Sequence, residues 1–311
     1  MKYAIIFPGQ GSQSLGMLAD LADNFSVVKD TFTEASDALG FDLWKLAQED
    51  QEALNQTQNT QPAMLAAGYA TYLALTSETD LSPVCMAGHS LGEYTALVAS
   101  GSLNFSDGIK LVRTRAELMQ AAVPTGVGAM AAILGLEDAV VVKVCADYAG
   151  EGIVQAVNFN SNGQVVIAGN KAAVDITCEA MKAAGAKRAV VLPVSVPSHC
   201  SLMDDAALKF KDAVDAVEFN MGDVDVLHNV DTAKALDTGD MKAKLVAQLH
   251  KPVLWTGTVR AMHEMGVEKL IESGPGKVLA GLTRRIEKTL TANAVLDSAS
   301  VSATLEEITH E

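Results

Sequence analysis

The pentapeptide Gly88-His89-Ser90-Leu91-Gly92 constrains the fold of this chain more than any other stretch. It stands between an apolar run at 83–87 and an apolar-periodic segment that opens at Glu93, so the pattern reads strand, sharp turn, helix. A glycine on each side is what a crowded turn requires, because neither presents a Cβ. A serine at such a nucleophile elbow has its hydroxyl raised above the sheet edge, and the helix behind it aims its first N–H groups at developing negative charge. Those are the requirements of acyl transfer through a serine.

The flanking periodicities supply an α/β domain around the elbow. Residues 2–7 read as a buried strand, 25–39 as a helix with Val28, Phe32 and Ala35 on one stripe, 62–75 as a helix with Pro62 near its first turn, and 107–121 as a further helix. Val123-Pro124-Thr125-Gly126 reads as a linker, after which the pattern changes. Strand 127–134, helix 137–148, strand 153–157, a turn at 160–163, strand 164–168, helix 171–184 and strand 188–192 give the order βαββαβ, a ferredoxin-like motif. The α/β rhythm then resumes with helix 201–217, strand 224–229, helices 242–249 and 256–265, strand 267–272 and helix 277–288. The expected architecture is a discontinuous large domain of 1–125 and 196–311 with a parallel sheet, and a small inserted domain of 126–195. The tail after Ser298 yields no reading.

At 311 residues, 49% hydrophobic and 20% charged, the chain can bury a large core. The apolar opening ends at Pro8-Gly9, too short for a signal peptide, and no run approaches the ~18 residues of a membrane helix. Cys85, Cys145, Cys178 and Cys200 show no Cys-x-x-Cys spacing and lie in apolar segments, which fits buried thiols in a reducing cytoplasm. Metal ligation is not expected. A formal charge of −15 argues against nucleic acid or an anionic membrane as partner, and any acidic partner has to find a local basic patch.

An activated serine needs a base. Of His89, His199, His228, His250, His263 and His310, only His199 is well placed, at the junction where the small domain returns to the large one and clefts form. His89 is expected to point away from Ser90, and His263 and His310 to be solvated. Asp107, Asp138 and Asp175 fall in surface-helix patterns, so a dyad in which a carbonyl holds the imidazole tautomer is simpler than a triad. On a helical wheel Arg115 falls with Leu111, Val112, Leu118 and Met119, on the buried stripe, while Arg113 faces solvent with Glu117 at i+4. A buried guanidinium needs either an acid in the protein or an anion in a site. The turn Pro8-Gly9-Gln10-Gly11-Ser12-Gln13 lacks a third glycine for a dinucleotide loop but can lend an N–H to an oxyanion hole. Gly274-Pro275-Gly276-Lys277 fails as a phosphate loop, with Val278 where Ser or Thr is needed, and reads as a turn capping a helix.

Taken together, Pro8 to Gln13, Thr60-Gln61-Pro62-Ala63, Gly88 to Glu93, Arg115 with Met119-Gln120, Pro197-Ser198-His199 and Glu272 to Gly276 resemble the malonyl-CoA:acyl carrier protein transacylases of bacterial fatty-acid synthesis, from about Lys2 to Ile286. The resemblance implies a hydrolase-like α/β domain with a ferredoxin-like insertion. It implies Ser90 as nucleophile, His199 as base, the backbone N–H groups of Gln10 and Leu91 as oxyanion hole, Arg115 as the clamp on the malonyl carboxylate, and the backbone carbonyl of Gln248 as support for the imidazole. Ala116 stands where the family usually has Gly, adding a methyl near the acyl pocket. No cofactor is implied; the partners are malonyl-CoA and an acidic acyl carrier protein, for whose docking Lys187, Arg188, Arg284, Arg285 and Lys288 are candidates. A monomer is expected. A thioesterase sharing the elbow, and a non-catalytic protein retaining the fold, are the alternatives.

Overall fold

The computed structural model describes residues 1–194 and 196–309, which leaves the expectation for His310 outside the described residues. Among the described residues nine strands form two sheets: β1 (Tyr3–Phe7), β2 (Met86–Gly88), β3 (Gly128–Leu134), β4 (Val154–Ser161), β5 (Gln164–Asn170), β6 (Arg188–Val191), β7 (Val226–Leu227), β8 (Lys269–Ser273) and β9 (Thr291–Val295). The first sheet has the order β7-β2-β1-β8-β9 and is parallel throughout. Its central strand is apolar without alternation because both faces are covered. Tyr3, Ile5 and Phe7 enter the larger core with the helices Ser26–Leu39, Thr57–Thr76 and Phe105–Ala122, and Ala4 and Ile6 enter the core around Trp255 and Met262.

Residues 128–191 build the second sheet, order β4-β5-β3-β6, antiparallel at every pairing. The helices Asp138–Ala146 and Lys171–Ala183 cover one face; Met130, Val157, Val166 and Ala168 on the other pack with Cys200. The chain leaves and re-enters the larger unit at neighbouring points, since a Cβ on Gly128 would lie 2.5 Å from the Pro197 ring. A second seam ties β4 to Val253, through Phe159 N–H to the Val253 carbonyl at 3.0 Å and Val253 N–H to the Val157 carbonyl at 2.8 Å.

Several expectations need correction. The helix placed at 62–75 begins at Thr57, so Pro62 lies inside it. Proline removes the N–H that would bond the Gln58 carbonyl, and Arg113 takes that carbonyl at 3.1 Å. Strand 224–229 shortens to the two residues of β7, which frees His228 and Asn229 to turn toward the elbow. The turn placed at 160–163 narrows to Asn162-Gly163 because β4 continues to Ser161. Two elements beyond residue 288 have no counterpart in the sequence pattern: β9, a half-exposed edge strand without apolar alternation, and the helix Ser298–Thr309, whose cap at Asp297 accepts the Ser300 N–H at 2.8 Å. Short helices at Ala19–Asn24, Leu43–Glu49 and Gln51–Leu54 also went unread, each below the length at which periodicity shows.

Candidate active site

The elbow forms because β2 delivers the chain to a turn that only glycine tolerates on either side. A Cβ at Gly88 would fall 1.9 Å from the Gly92 carbonyl, and one at Gly92 would fall 2.1 Å from the Phe7 carbonyl oxygen. Between them Ser90 adopts φ 52°, a left-handed conformation that strains a non-glycine residue by about 1–3 kcal/mol. Asn229 holds it there: its Oδ1 accepts the Ser90 N–H at 2.7 Å and its Nδ2 donates to the Gly88 carbonyl at 2.7 Å.

His199 also has a positive φ, 65°, and is fixed at both ends. Its backbone N–H donates to the Leu249 carbonyl at 3.0 Å, and Nδ1–H donates to the Gln248 carbonyl at 2.6 Å. Nε2 is thereby left with its lone pair toward Ser90 Oγ, 2.8 Å away. Burial, then the positive charge of Arg115, pull the imidazole down to about 3, against a backbone bond from Gln248 that raises it. At neutral pH the ring is an unprotonated acceptor poised on a hydroxyl.

Arg115 is 1% exposed. It donates to Gln61 Oε1 at 2.8 Å, to Gln248 Oε1 at 2.8 Å and to Ser90 Oγ at 3.2 Å, and lies over the Tyr94 ring, 5.3 Å from its centroid. All three acceptors are neutral; among the described residues no carboxylate is within salt-bridge reach of it. Burial pulls the guanidinium below its ordinary value, with Tyr94 and Glu93 acting against that, and arginine remains charged through such perturbation. A charged group at the floor of a cavity, bonded only to amides and a hydroxyl, has the valence to receive an anion.

The cavity measures about 230 Å³ and lies between the two sheets. Ser90, His199, Arg115, Gln10 and Leu91 all line it, with Met130, Asn158, Asn160 and Val166 of the smaller sheet opposite. The Gln10 turn sits directly on the elbow: a Cβ on Gly9 would come 2.5 Å from the His89 carbonyl. No hydrogen bond among the described residues occupies the backbone N–H of Gln10 or of Leu91. His89 also lines this cavity; its ring lies against Trp255, 5.7 Å between centroids, and its Nε2 meets Asn160 Oδ1 at 2.8 Å across the seam.

Sequence reasoning passed over several residues of this arrangement. The resemblance implies only the carbonyl of Gln248, yet its side chain joins the site together, accepting from Arg115 and donating to the Ser90 carbonyl at 2.9 Å and to Glu93 Oε2 at 2.8 Å. Glu93 is fully buried, accepts the Asn229 N–H at 3.0 Å, and pairs with His228 Nδ1 at 2.7 Å. Its position immediately after the pentapeptide was the available signal. Cys200, next to His199, is buried with its thiol pushed up to about 11 and donates to the Pro197 carbonyl, so it is inert. All four cysteines are free and buried, and no group of three metal-binding side chains occurs among the described residues. Nor is any described helix long and apolar enough to cross a membrane.

Four of the candidate basic residues lie toward one end of the smaller sheet. Lys187 stands one position before β6 and Arg188 opens it; Leu134 pairs with both Arg188 and Gln164, and Arg285 reaches Gln164 Oε1 at 3.3 Å. Arg284 and Arg285 are exposed in the last turn of helix Val278–Ile286, and Val278, Leu279 and Leu282 of that helix line the cavity mouth. Glu272, at the end of β8, caps this helix by accepting the N–H groups of Leu279 and Ala280, and burial raises its carboxyl to about 7.

A parallel sheet with a strained serine at a strand-to-helix turn, roofed by an imidazole, defines an α/β protein with an elbow-borne serine, and the family model for the acyl transferase domain matches residues 4–307. The malonyl CoA-acyl carrier protein transacylase of Escherichia coli K12 is 52% identical over 306 residues, 98% of this chain and 99% of that protein. A crystal structure of an acyl carrier protein S-malonyltransferase from Vibrio cholerae superposes with TM-score 0.96 at 54% identity, covering 98% of this chain and 100% of that one. A malonyl-transacylase in complex with its type II PKS acyl-carrier protein superposes with TM-score 0.97 at 51% identity, covering 99% and 100%. The chain belongs to the malonyl CoA-acyl carrier protein transacylase family, and is an acyltransferase.

Proposed function

We propose that this chain transfers the malonyl group from malonyl-CoA to the phosphopantetheine thiol of an acidic acyl carrier protein, by a ping-pong route through a Ser90 ester. The observation that carries the reading is that one serine hydroxyl lies within hydrogen-bond reach of both a neutral imidazole and a buried guanidinium that has no acid of its own. Ser90 Oγ gives its proton to His199 Nε2 and attacks the thioester carbonyl. The oxyanion is received by the N–H groups of Gln10 and Leu91, each contributing about 3–4 kcal/mol in the transition state. The imidazolium returns its proton to the departing coenzyme A thiolate, and the carrier thiol then reverses these steps on the ester. Arg115 grips the malonyl carboxylate bidentately, a match for its planar fork.

In this reading the larger unit is hydrolase-like and spans 1–125 and 196–311, with a ferredoxin-like insertion of 126–195. A single chain supplies every residue named, consistent with action as a monomer. The carrier protein docks on the end of the smaller sheet carrying Lys187, Arg188, Arg284 and Arg285, where local positive charge offsets the overall −15.

Intact-protein mass spectrometry after brief exposure to malonyl-CoA, with acetyl-CoA and the Ser90→Ala variant as controls, tests the proposal. A malonyl adduct absent from Ser90→Ala and discharged by holo-acyl carrier protein is expected. Release of free malonate with no dependence on the thiol acceptor would mean a hydrolase instead.

A further inference from the structure

Every partner of the dyad is positioned by neutral groups, and those neutral groups converge on one carboxylate. Glu93 Oε2 takes the Gln248 Nε2–H at 2.8 Å and the Asn229 backbone N–H at 3.0 Å, while Oε1 faces His228 Nδ1 at 2.7 Å. From Gln248 the order passes to His199 through its carbonyl and to Arg115 through Oε1; from Asn229 it passes to the Ser90 amide and the Gly88 carbonyl. An amide side chain can turn over, exchanging its donor and acceptor ends. Glu93, accepting only, and Arg115, donating only, together permit one orientation of Gln248.

We infer that Glu93 is the positioning acid of this site, acting on Ser90, His199 and Arg115 at one remove through Gln248 and Asn229. It takes the place of the triad acid without touching the imidazole. It also supplies Arg115 with a counter-charge across the Gln248 amide, so that among the described residues no carboxylate bonds the guanidinium directly. The inference rests on the proposed roles of Ser90, His199 and Arg115.

Neutralising this acid should affect a substrate that uses both the dyad and the guanidinium more than one that uses the dyad alone. In Glu93→Gln the amide at 93 no longer enforces the orientation of Gln248, which is then left to Arg115 and the Ser90 carbonyl alone. Rates of adduct formation from malonyl-CoA and acetyl-CoA, followed by intact mass in single turnover, read the two effects separately. Malonylation should fall about 100-fold and acetylation about tenfold, the range for losing hydrogen bonds to a charged group. Because Gln248→Met removes the side chain that relays the effect yet keeps the carbonyl on His199, adding Glu93→Gln to it should change the malonyl-to-acetyl ratio by less than about twofold.

Glu93→Gln leaves His228 without its acid, and such a change can unfold a protein. The double variant Glu93→Gln, His228→Gln replaces the pair with two amides and carries the same test if the single one does not fold. A folded variant with wild-type rates and ratio would overturn the inference, and so would a full multiplicative loss in the Gln248→Met background. Malonylation that persists in Ser90→Ala would instead overturn the underlying reading, leaving the two failures distinct.

Discussion

Replacing Arg115 by alanine removes a buried positive charge that lines the cavity and should change selectivity far more than reactivity. A bidentate clamp on a carboxylate comprises two charge-assisted hydrogen bonds, each contributing about 1.5–3 kcal/mol. The full sum is not realised, because the same guanidinium already bonds Gln61, Gln248 and Ser90 in the free protein, and the incoming carboxylate must shed water. The lower end, about 3 kcal/mol, is the better figure, and at 1.4 kcal/mol per decade it corresponds to about 100-fold in kcat/KM for malonyl-CoA. Acetyl-CoA has no carboxylate to lose. Its rate is set by the dyad, and His199 becomes more basic once the Arg115 charge that helps hold it low is gone. Stability should change little, since the cost of stranding Gln61 Oε1 and Gln248 Oε1 is offset by no longer burying a guanidinium. The assay is kcat/KM for both thioesters with saturating holo-acyl carrier protein, with thermal unfolding as a control on folding. A malonyl preference that survives within about threefold in a folded variant would refute the clamp.

Because burial holds His199 at about 3, adduct formation should be flat from about pH 5 to 8; a single-turnover profile with an inflection near 6.5 would contradict that. In thermal scans the same group opposes stability at low pH: the unfolded imidazole binds a proton below its ordinary 6.5 and the folded one does not, so its contribution is whole above pH 6.5 and is lost toward pH 3. Glu272 runs the other way, its contribution whole below its ordinary 4.5 and lost as pH rises through 7, and Glu272→Gln should remove that component from the scan. Gly92→Ala would press a Cβ to 2.1 Å from the Phe7 carbonyl oxygen, where backbone cannot swing aside, and should lower the unfolding midpoint by on the order of 10 °C; an unchanged midpoint would show the elbow to be looser than drawn. Charge reversal at Arg284 and Arg285 should raise the KM for carrier protein about tenfold and leave that for malonyl-CoA unchanged, which steady-state kinetics with each substrate varied would check.

What the sequence by itself determined is what local patterns encode. The apolar runs of β1 and β2, the glycines around Ser90 and the wheel that sets Arg115 on an inward stripe are all properties of a few neighbouring residues. They sufficed for the α/β class, for the βαββαβ order of 128–191, and for naming a serine, a histidine and an arginine worth bringing together. Pattern failed where structure is held by contacts distant in sequence. β9 is a strand because β8 offers it an edge and not because Thr291 to Val295 alternates. Pro62 is tolerated within a helix because Arg113, 51 positions on, takes the carbonyl it leaves free of a helical partner.

Only the tertiary structure decided how the site is held. Ser90 and Asn229 are separated by 139 positions, Glu93 and Gln248 by 155, and no periodicity links them. A buried polar group must be satisfied by whatever the fold brings within about 3 Å, so the identity of its partner is a property of packing. That is why the Gln248 carbonyl enters only through the family resemblance, and why no local pattern shows its side chain bonding Arg115, Ser90 and Glu93.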